Sequence, residues 1–376
     1  MGKKNLIKIL FLLGTRPEII KLAPLIIQFK KYNNYDVIVC STGQHKEMLY
    51  PLLSFFKIRL NYDLKIMDSA KNLINLSSQL ITKLNRIILK EKPDLIFVQG
   101  DTISAFIGAY VGFLNKVPIA HIEAGLRSFK KYSPFPEEVN RKLISIVSSY
   151  HFCPTKNSKD NLLKEGIKKN VFKVGNTVID ALFLSLKYLK PLEKQFTNNY
   201  SQIDFTEKIV LITGHRRESF GKPFESICNA IRRVALEFTK IQFVYPVHLN
   251  PNVQDPVLRI LGHINNIFLL PPLDYLTFVW FMNKSYFIVT DSGGVQEEAP
   301  SLGKPVLVIR DVTERNEGIL IGNAKLIGTQ ETKIYDNIKR LLTINNIYKS
   351  MSRTKNPYGD GKSSDRILQK IQKLLQ

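Results

Sequence analysis

Short apolar runs alternate with longer amphipathic stretches along this chain. KILFLL, YDVIVC, DLIFVQ, VPIAHI and YHFCP are each bounded by turn or polar residues and predict strands. Between them, segments such as PEIIKLAPLIIQFKK and EEVNRKLISIVSS repeat their apolar positions at helical spacing. Strand alternating with helix implies parallel sheets covered on both faces. The alternation pauses at LKPLEKQFTNNYSQIDFT, a polar segment with a proline and no clear period. It resumes with IVLITG, IQFVYPV, IFLLPP, YFIVTD and PVLVIR. Two α/β domains in tandem are therefore expected, with a boundary between about residues 172 and 206. We place one α/β domain over residues 1–175 and a second over 176–355. The closing helix, SSDRILQKIQKLLQ after NPYGDG, has enough apolar positions to dock on a neighbour, and segment 356–376 is expected to pack back on the first domain.

Composition narrows the class. The 376 residues are 44% hydrophobic and 23% charged, a globular balance long enough for two cores. Lys plus Arg number 54 against 32 Asp plus Glu, a net +22 that attracts phosphates. The lysines are dispersed through runs such as KKYNNYD and LKEGIKKNVF, so most of this charge reads as solvated surface rather than a nucleic-acid footprint. Cys40, Cys153 and Cys228 are isolated, which suits a reducing compartment and argues against disulfides or structural zinc. Lys8 interrupts the first apolar run, no small-residue cleavage site follows, and no uncharged stretch approaches the roughly 20 residues of a membrane helix. A cytoplasmic protein with no membrane contact is expected.

In open parallel sheets ligands bind beyond the carboxyl ends of the strands. There KILFLL leads to GTRPE, DLIFVQ to GDT, VPIAHI to EAGLR, IVLIT to GHRRE, IQFVYP to VHLNP and YFIVT to DSGGVQEE. Two such rims facing across a cleft would form one site. After Asp291, the run Ser292-Gly293-Gly294 opens a helix and offers backbone N–H groups, a hydroxyl and a dipole end to an anion; the plainer account is an N-cap and a tight turn. Glu298, one turn on, suits ribose hydroxyls, although Glu297 and Glu298 also fit as favourable charge in a first helical turn. Arg16, before Pro17, is placed for a bidentate phosphate contact, with Lys21 about one turn later.

The acidic residues are the sharper signal. Asp101 in VQGDT and Glu123 in HIEAGLR follow strongly apolar strands, and Glu137 and Glu138 sit in YSPFPEEVNR. Each alone fits an N-cap or ion pair; three carboxyls converging among arginines suit proton abstraction and donation at carbon. His215 in TGHRRES, as an imidazolium beside Arg216 and Arg217, would neutralise a departing diphosphate. His45, His121, His151 and His263 carry no interpretable pattern alone. No H-E-x-x-H or Cys-His ligand spacing occurs, so no metal is expected.

Taken together, GTRPEIIKLAPL, TGQHKEML, QGDT, HIEAGLRS, YSPFPEEVNR, GNTVIDAL, TGHRRESFG, VYPVHLNPNV, TDSGGVQEEAPSLGKPVLVIRDVTER and NPYGDG resemble the non-hydrolysing UDP-N-acetylglucosamine 2-epimerases of bacteria along nearly the whole chain. The resemblance implies a GT-B type pair of Rossmann-like domains, a homodimer, and no metal or redox cofactor. It implies anti elimination of UDP to 2-acetamidoglucal and syn re-addition with C2 inverted, giving UDP-N-acetylmannosamine. By that resemblance Asp101, Glu123 and Glu137 are the acid/base carboxylates, with the one that removes the C2 proton left open. His215 steadies UDP. Arg16, Lys21, Ser292, Gly293, Gly294 and Arg315 contact the phosphates and sugar, Leu273 and Phe278 hold uracil, and Glu298 binds ribose. Many members bind a second UDP-N-acetylglucosamine as activator, and Gln44, Arg216 and His248 match that site. Where some members have an arginine, this chain has Ala70, followed by Lys71. The product would feed enterobacterial common antigen, capsule or teichoic-acid linkage units. Competing readings are a GT-B glycosyltransferase, a hydrolysing epimerase, a 2-epimerase of another UDP-2-acetamido sugar, and a basic RNA-binding protein, which the intact carboxylates oppose.

Overall fold

The computed structural model describes residues 6–43, 46–68 and 72–375. Seven strands form the first sheet: β1 (Ile7–Leu13), β2 (Tyr35–Ser41), β3 (Tyr62–Asp63), β4 (Leu95–Gln99), β5 (Ile119–Ile122), β6 (Tyr150–Cys153) and β7 (Val171–Lys173). Six form the second: β8 (Ile209–Thr213), β9 (Gln242–Pro246), β10 (Ile267–Leu270), β11 (Phe287–Thr290), β12 (Val306–Val308) and β13 (Ala324–Leu326). Their spatial orders are β3-β2-β1-β4-β5-β6-β7 and β10-β9-β8-β11-β12-β13. All pairs are parallel. Each sheet is thus doubly wound and Rossmann-like, as the resemblance implies, and parallel, as the strand-helix alternation predicts.

Near-continuous apolar strands follow from burial on both faces. In β1, Leu10 and Leu12 pack with Leu80, Leu84 and Ile107 of the helices Leu73–Glu91 and Ile103–Leu114. The alternate residue Phe11 faces the other layer, stacking on Phe97 at 4.7 Å with Phe29 edge-on to Phe97 at 5.5 Å. In the second sheet Val210, Ile212 and Tyr245 meet Phe224, Ile231 and Ile338 from the helices Lys222–Glu237 and Glu331–Thr343. Local chemistry starts the helices Leu73–Glu91 and Ile103–Leu114 on time: the side chains of Asn72 and Thr102 accept the amides of Asn75 and Ala105.

The chain separates into two compact units, one running to Ala181 and resuming at Tyr358, the other Leu182–Pro357. The crossing lies inside one helix, Thr177–Leu189. The C-terminal helix Ser363–Leu374 lies against the helix Arg16–Phe29 within the first unit, and Asp180 accepts the amides of Ser363 and Ser364. The polar stretch after Leu189 is more ordered than its lack of period suggests. It holds a helix, Glu193–Asn199, and Phe196, Tyr200 and Phe205 surround Trp280. Three widely spaced aromatics suffice to bury it, and such spacing leaves little periodic signal. Among the described residues no helix is long and apolar enough to cross a membrane.

Candidate active site

Strand order reverses direction between β1 and β4 in one sheet and between β8 and β11 in the other. At such a point neighbouring loops turn away to opposite sides and leave a crevice at the carboxyl ends. Arg16 and Asp101 follow β1 and β4; His215 and Ser292 follow β8 and β11.

In the first unit the loops are braced by Glu18. One carboxylate oxygen accepts the amides of Gly14 (2.9 Å) and Thr15 (2.6 Å), and the other the hydroxyl of Thr102 (2.7 Å). Burial raises the Glu18 pKa although these donors oppose it. Glu123, immediately after β5, is 8% exposed. Its Oε1 accepts Lys21 Nζ at 2.5 Å and Asn176 Nδ2 at 3.1 Å, and its Oε2 accepts Gln99 Nε2 at 2.5 Å. Its φ of +66° is rare for a residue with a side chain, the kind of conformation that tertiary contacts impose at functional sites. The Asp101 carboxylate meets Arg141 Nε at 2.7 Å, and its backbone carbonyl accepts Asn140 Nδ2 at 2.8 Å. Arg141 also reaches Glu138 (3.2 Å), which accepts the amides of Ser128 and Phe129. Burial pushes the Glu138 pKa up, but these hydrogen bonds together hold it below the ordinary value. Glu137 is half-buried at the first position of the helix Glu137–Val147, and Arg16 is half-buried at the start of its own helix.

In the second unit the fully buried Asp291 carboxylate gathers the turn after β8. Its Oδ2 accepts the amides of His215 (2.6 Å) and Arg216 (2.8 Å), and its Oδ1 lies 3.5 Å from His215 Nδ1. The His215 ring stacks on His248 at 5.4 Å, and His248 Nδ1 accepts the Asn250 amide. Burial lowers the His215 pKa; Asp291 opposes this, while His248 and Arg216 reinforce it. These surroundings favour the neutral ring over the imidazolium expected to meet a departing diphosphate.

Ser292 occupies the N-cap position of the helix Gly293–Glu298, yet its hydroxyl caps nothing there. The ordinary capping account of Ser-Gly-Gly thus fails, and first-turn amides stay without helical partners. A Cβ on Gly293 would sit 3.1 Å from the Arg315 guanidinium, which lies over the turn. Arg315 pairs with Glu297 (3.0 Å) and Glu314 (2.5 Å). Burial alone would raise the Glu314 carboxyl, but Arg315, with Arg310 and Arg216, holds it at about 2. Glu297 and Glu298 close this six-residue helix rather than charge its first turn. They also diverge: Glu298 accepts the Tyr275 hydroxyl at 3.0 Å. Leu273 and Phe278 are half-buried on either side of the start of the helix Tyr275–Lys284. Gln44, Ala70 and Lys71 lie outside the described residues.

Sequence reasoning missed the partners: Gln99 and Asn176 on Glu123, and Arg141 on Asp101. Asn176 stood in a quoted motif, GNTVIDAL, but nothing local linked it to Glu123, which is 53 residues away. Among the described residues no group of His, Cys, Asp and Glu is arranged to hold a metal ion.

Two further histidines bear on stability. Burial drives the His121 pKa to about 3 and that of His151 to about 4, far below the unfolded value near 6.5. Depressed histidines make the unfolded chain bind more protons, so stability is fully present above about pH 6.5 and is lost as pH falls toward 4. Glu314 and Glu138, with lowered pKa values, contribute losses only below about pH 4.5. Glu18 and Asp180, buried carboxyls with raised pKa values, act with the opposite sign, so the histidine part is read by difference: His151→Gln should lose less of its urea unfolding midpoint between pH 6.5 and 5 than the unaltered protein does. Equal pH dependence of the two midpoints would refute the assignment.

A model of the UDP-N-acetylglucosamine 2-epimerase family matches residues 27–372. The chain is 48% identical over 368 residues to UDP-N-acetylglucosamine 2-epimerase of Salmonella typhimurium, covering 97% of this chain and 98% of the relative. Identity to the Escherichia coli enzyme of the same name is 47% over 368 residues, with the same coverage. The structure superposes with TM-score 0.91 on a crystal structure of UDP-GlcNAc 2-epimerase from Neisseria meningitidis bound to UDP-GlcNAc, at 44% identity, covering 97% of this chain and 100% of that one. With two doubly wound sheets and polar groups gathered at both switch points, the chain belongs to the UDP-N-acetylglucosamine 2-epimerase family, whose members are isomerases.

Proposed function

We propose that this protein interconverts UDP-N-acetylglucosamine and UDP-N-acetylmannosamine without hydrolysis. The observation that carries the reading is Glu123, a nearly buried carboxylate held by Lys21, Gln99 and Asn176 at a strand end, in a chain of this family. In the first half, a carboxylate among Asp101, Glu123 and Glu137 takes the C2 proton. The C2–H electrons form the C1=C2 bond of 2-acetamidoglucal, and the C1–O bond breaks with its pair leaving on UDP. In the second half UDP re-adds at C1 while a proton arrives on the other face of C2. A pair of acids with different surroundings suits donation and abstraction: Asp101 is pinned to Arg141, Glu123 to Lys21.

Roles in the second unit follow from charge and shape. The Ser292 hydroxyl, the Gly293 and Gly294 amides and Arg315 suit a diphosphate. Glu298 suits ribose hydroxyls, and Leu273 and Phe278 the uracil. An arriving diphosphate would raise the His215 pKa, turning the neutral ring into the cation that steadies UDP as it leaves. Arg16 would contact the sugar phosphate, and Arg216 and His248 an activating second nucleotide sugar.

Proton NMR of the protein with UDP-N-acetylglucosamine in deuterated water tests the reaction. UDP-N-acetylmannosamine deuterated at C2 should accumulate; free N-acetylmannosamine with UDP would mean hydrolysis instead.

Three buried, unpaired cysteines suit a reducing cytoplasm, where the product would supply cell-surface polysaccharide synthesis. A homodimer is supported by Tyr110, Phe113, Leu114 and Ile146, exposed apolar residues on helices that pack side by side. Sedimentation at micromolar concentration should give twice the chain mass, and Phe113→Glu should shift it toward monomer.

A further inference from the structure

His121 lies in β5 at 1% exposure, with Nε2 at 2.7 Å from the Gly100 carbonyl oxygen. A carbonyl only accepts, so Nε2 carries the proton. Burial drives the ring pKa to about 3 against the opposing Gly100 hydrogen bond and Glu123, with His151 and Arg127 adding to the effect, so the imidazole is neutral and Nδ1 is a bare acceptor. That nitrogen is buried with no hydrogen-bond partner. An apolar side chain would fill this strand position without that penalty, so filling space does not account for a histidine here.

The bond does something specific. The Gly100 amide donates to the Ile122 carbonyl at 3.0 Å, so Gly100 is tied to β5 at its nitrogen by backbone and at its oxygen by His121. Gly100 turns at φ +70°. Because the peptide is planar, fixing the Gly100 carbonyl also fixes the amide of Asp101. Past that plane, Asn140 holds the Asp101 carbonyl and Arg141 its carboxylate. We propose that His121 is a positioning residue, a hydrogen-bond donor that sets the Gly100–Asp101 peptide and through it the direction of the Asp101 carboxylate. The inference rests on the acid/base assignment of Asp101 made above.

Kinetics of His121→Leu, His121→Gln and Asp101→Asn, with both histidine changes repeated in the Asp101→Asn background, test it. His121→Leu should lower kcat about tenfold or more with KM changed less than about threefold, since misaiming a reacting group costs rate rather than binding. His121→Gln keeps an N–H near the position of Nε2 and should recover most of kcat. In the Asp101→Asn background His121→Leu should cost no more than about a further twofold, because the group it aims is already gone. A glutamine variant as slow as the leucine one, or losses that multiply in the double variant, would overturn the proposal while leaving the acid/base reading intact. Wild-type turnover by Asp101→Asn would instead remove both. Should His121→Leu fail to fold, His121→Met, which has no N–H and more of the ring's length, takes its place in the same comparison.

Discussion

Glu123→Gln is expected to reduce epimerisation by about 100-fold to 10,000-fold, the range over which a positioned acid or base contributes. The geometry explains why the hydrogen bonds of the site survive the change. Lys21 and Asn176 both donate to Oε1, and an amide oxygen at that place still accepts from both. At Oε2 the new amide would face the Gln99 amide nitrogen, and an end-for-end flip of Gln99 restores a hydrogen bond. The backbone strain at φ +66° is shared by any side chain. What disappears is the capacity to hold a proton, together with one charge of the Lys21 pair, which lies mostly out of water. Initial rates of deuterium incorporation at C2 read the first effect. Calorimetric titration with UDP reads the second and should give affinity within about threefold of wild type. Undiminished incorporation would exclude Glu123 from the proton transfers.

Gly125→Ala should be the most destabilising single-methyl change in the same loop. A Cβ there would lie 2.0 Å from the backbone oxygen of Ser158 and 2.7 Å from its carbonyl carbon, with φ at +85°. Neither neighbour is a flexible side-chain end. Ser158 belongs to the helix Lys156–Lys164, and Asn161 of that helix donates to the Gly125 carbonyl at 3.0 Å. Relief requires the helix and the loop to separate, breaking that bond as well. Gly166 isolates the conformational part of the cost: its φ is +86°, but nothing lies within 4 Å of an added Cβ. Gly166→Ala should therefore cost about 1–2 kcal/mol, and Gly125→Ala about 3 kcal/mol or more. For a unit of this size the latter lowers Tm by roughly 6–12 °C. Equal losses for the two variants would show that the helix yields and the clash carries no weight. Activity should fall further than stability in Gly125→Ala, because Glu123 lies two residues upstream.

Much of this architecture is written locally. Strands such as LIFVQ and IVLIT are buried on both faces, so their apolar runs stand out, and the residues that end them mark the rims where ligands gather. That is why Asp101, Glu123, His215 and Ser292 were legible as candidates, and why the long motifs pointed to the family. Their partners were not legible. Lys21 reaches Glu123 across 102 residues, Arg141 reaches Asp101 across 40, and Asp291 gathers the His215 turn across 76. Such pairs depend on strand order, with β1 beside β4 and β8 beside β11, and no periodicity within a segment encodes that order.

Charge state was also decided in three dimensions. The expected role against a diphosphate suggested a cationic His215, but desolvation of the ring outweighs the nearby Asp291. Two adjacent glutamates, alike in sequence, receive different work, Glu297 on Arg315 and Glu298 on Tyr275. The sequence by itself determined the elements, two parallel sheets covered on both faces and the residue types at their rims, because burial on two faces and turn chemistry act over a few residues. Only the tertiary structure decided which acid meets which cation, which histidine stays neutral and which hydroxyl is left uncapped, because those depend on distances between segments far apart in the chain and on the water removed when they meet.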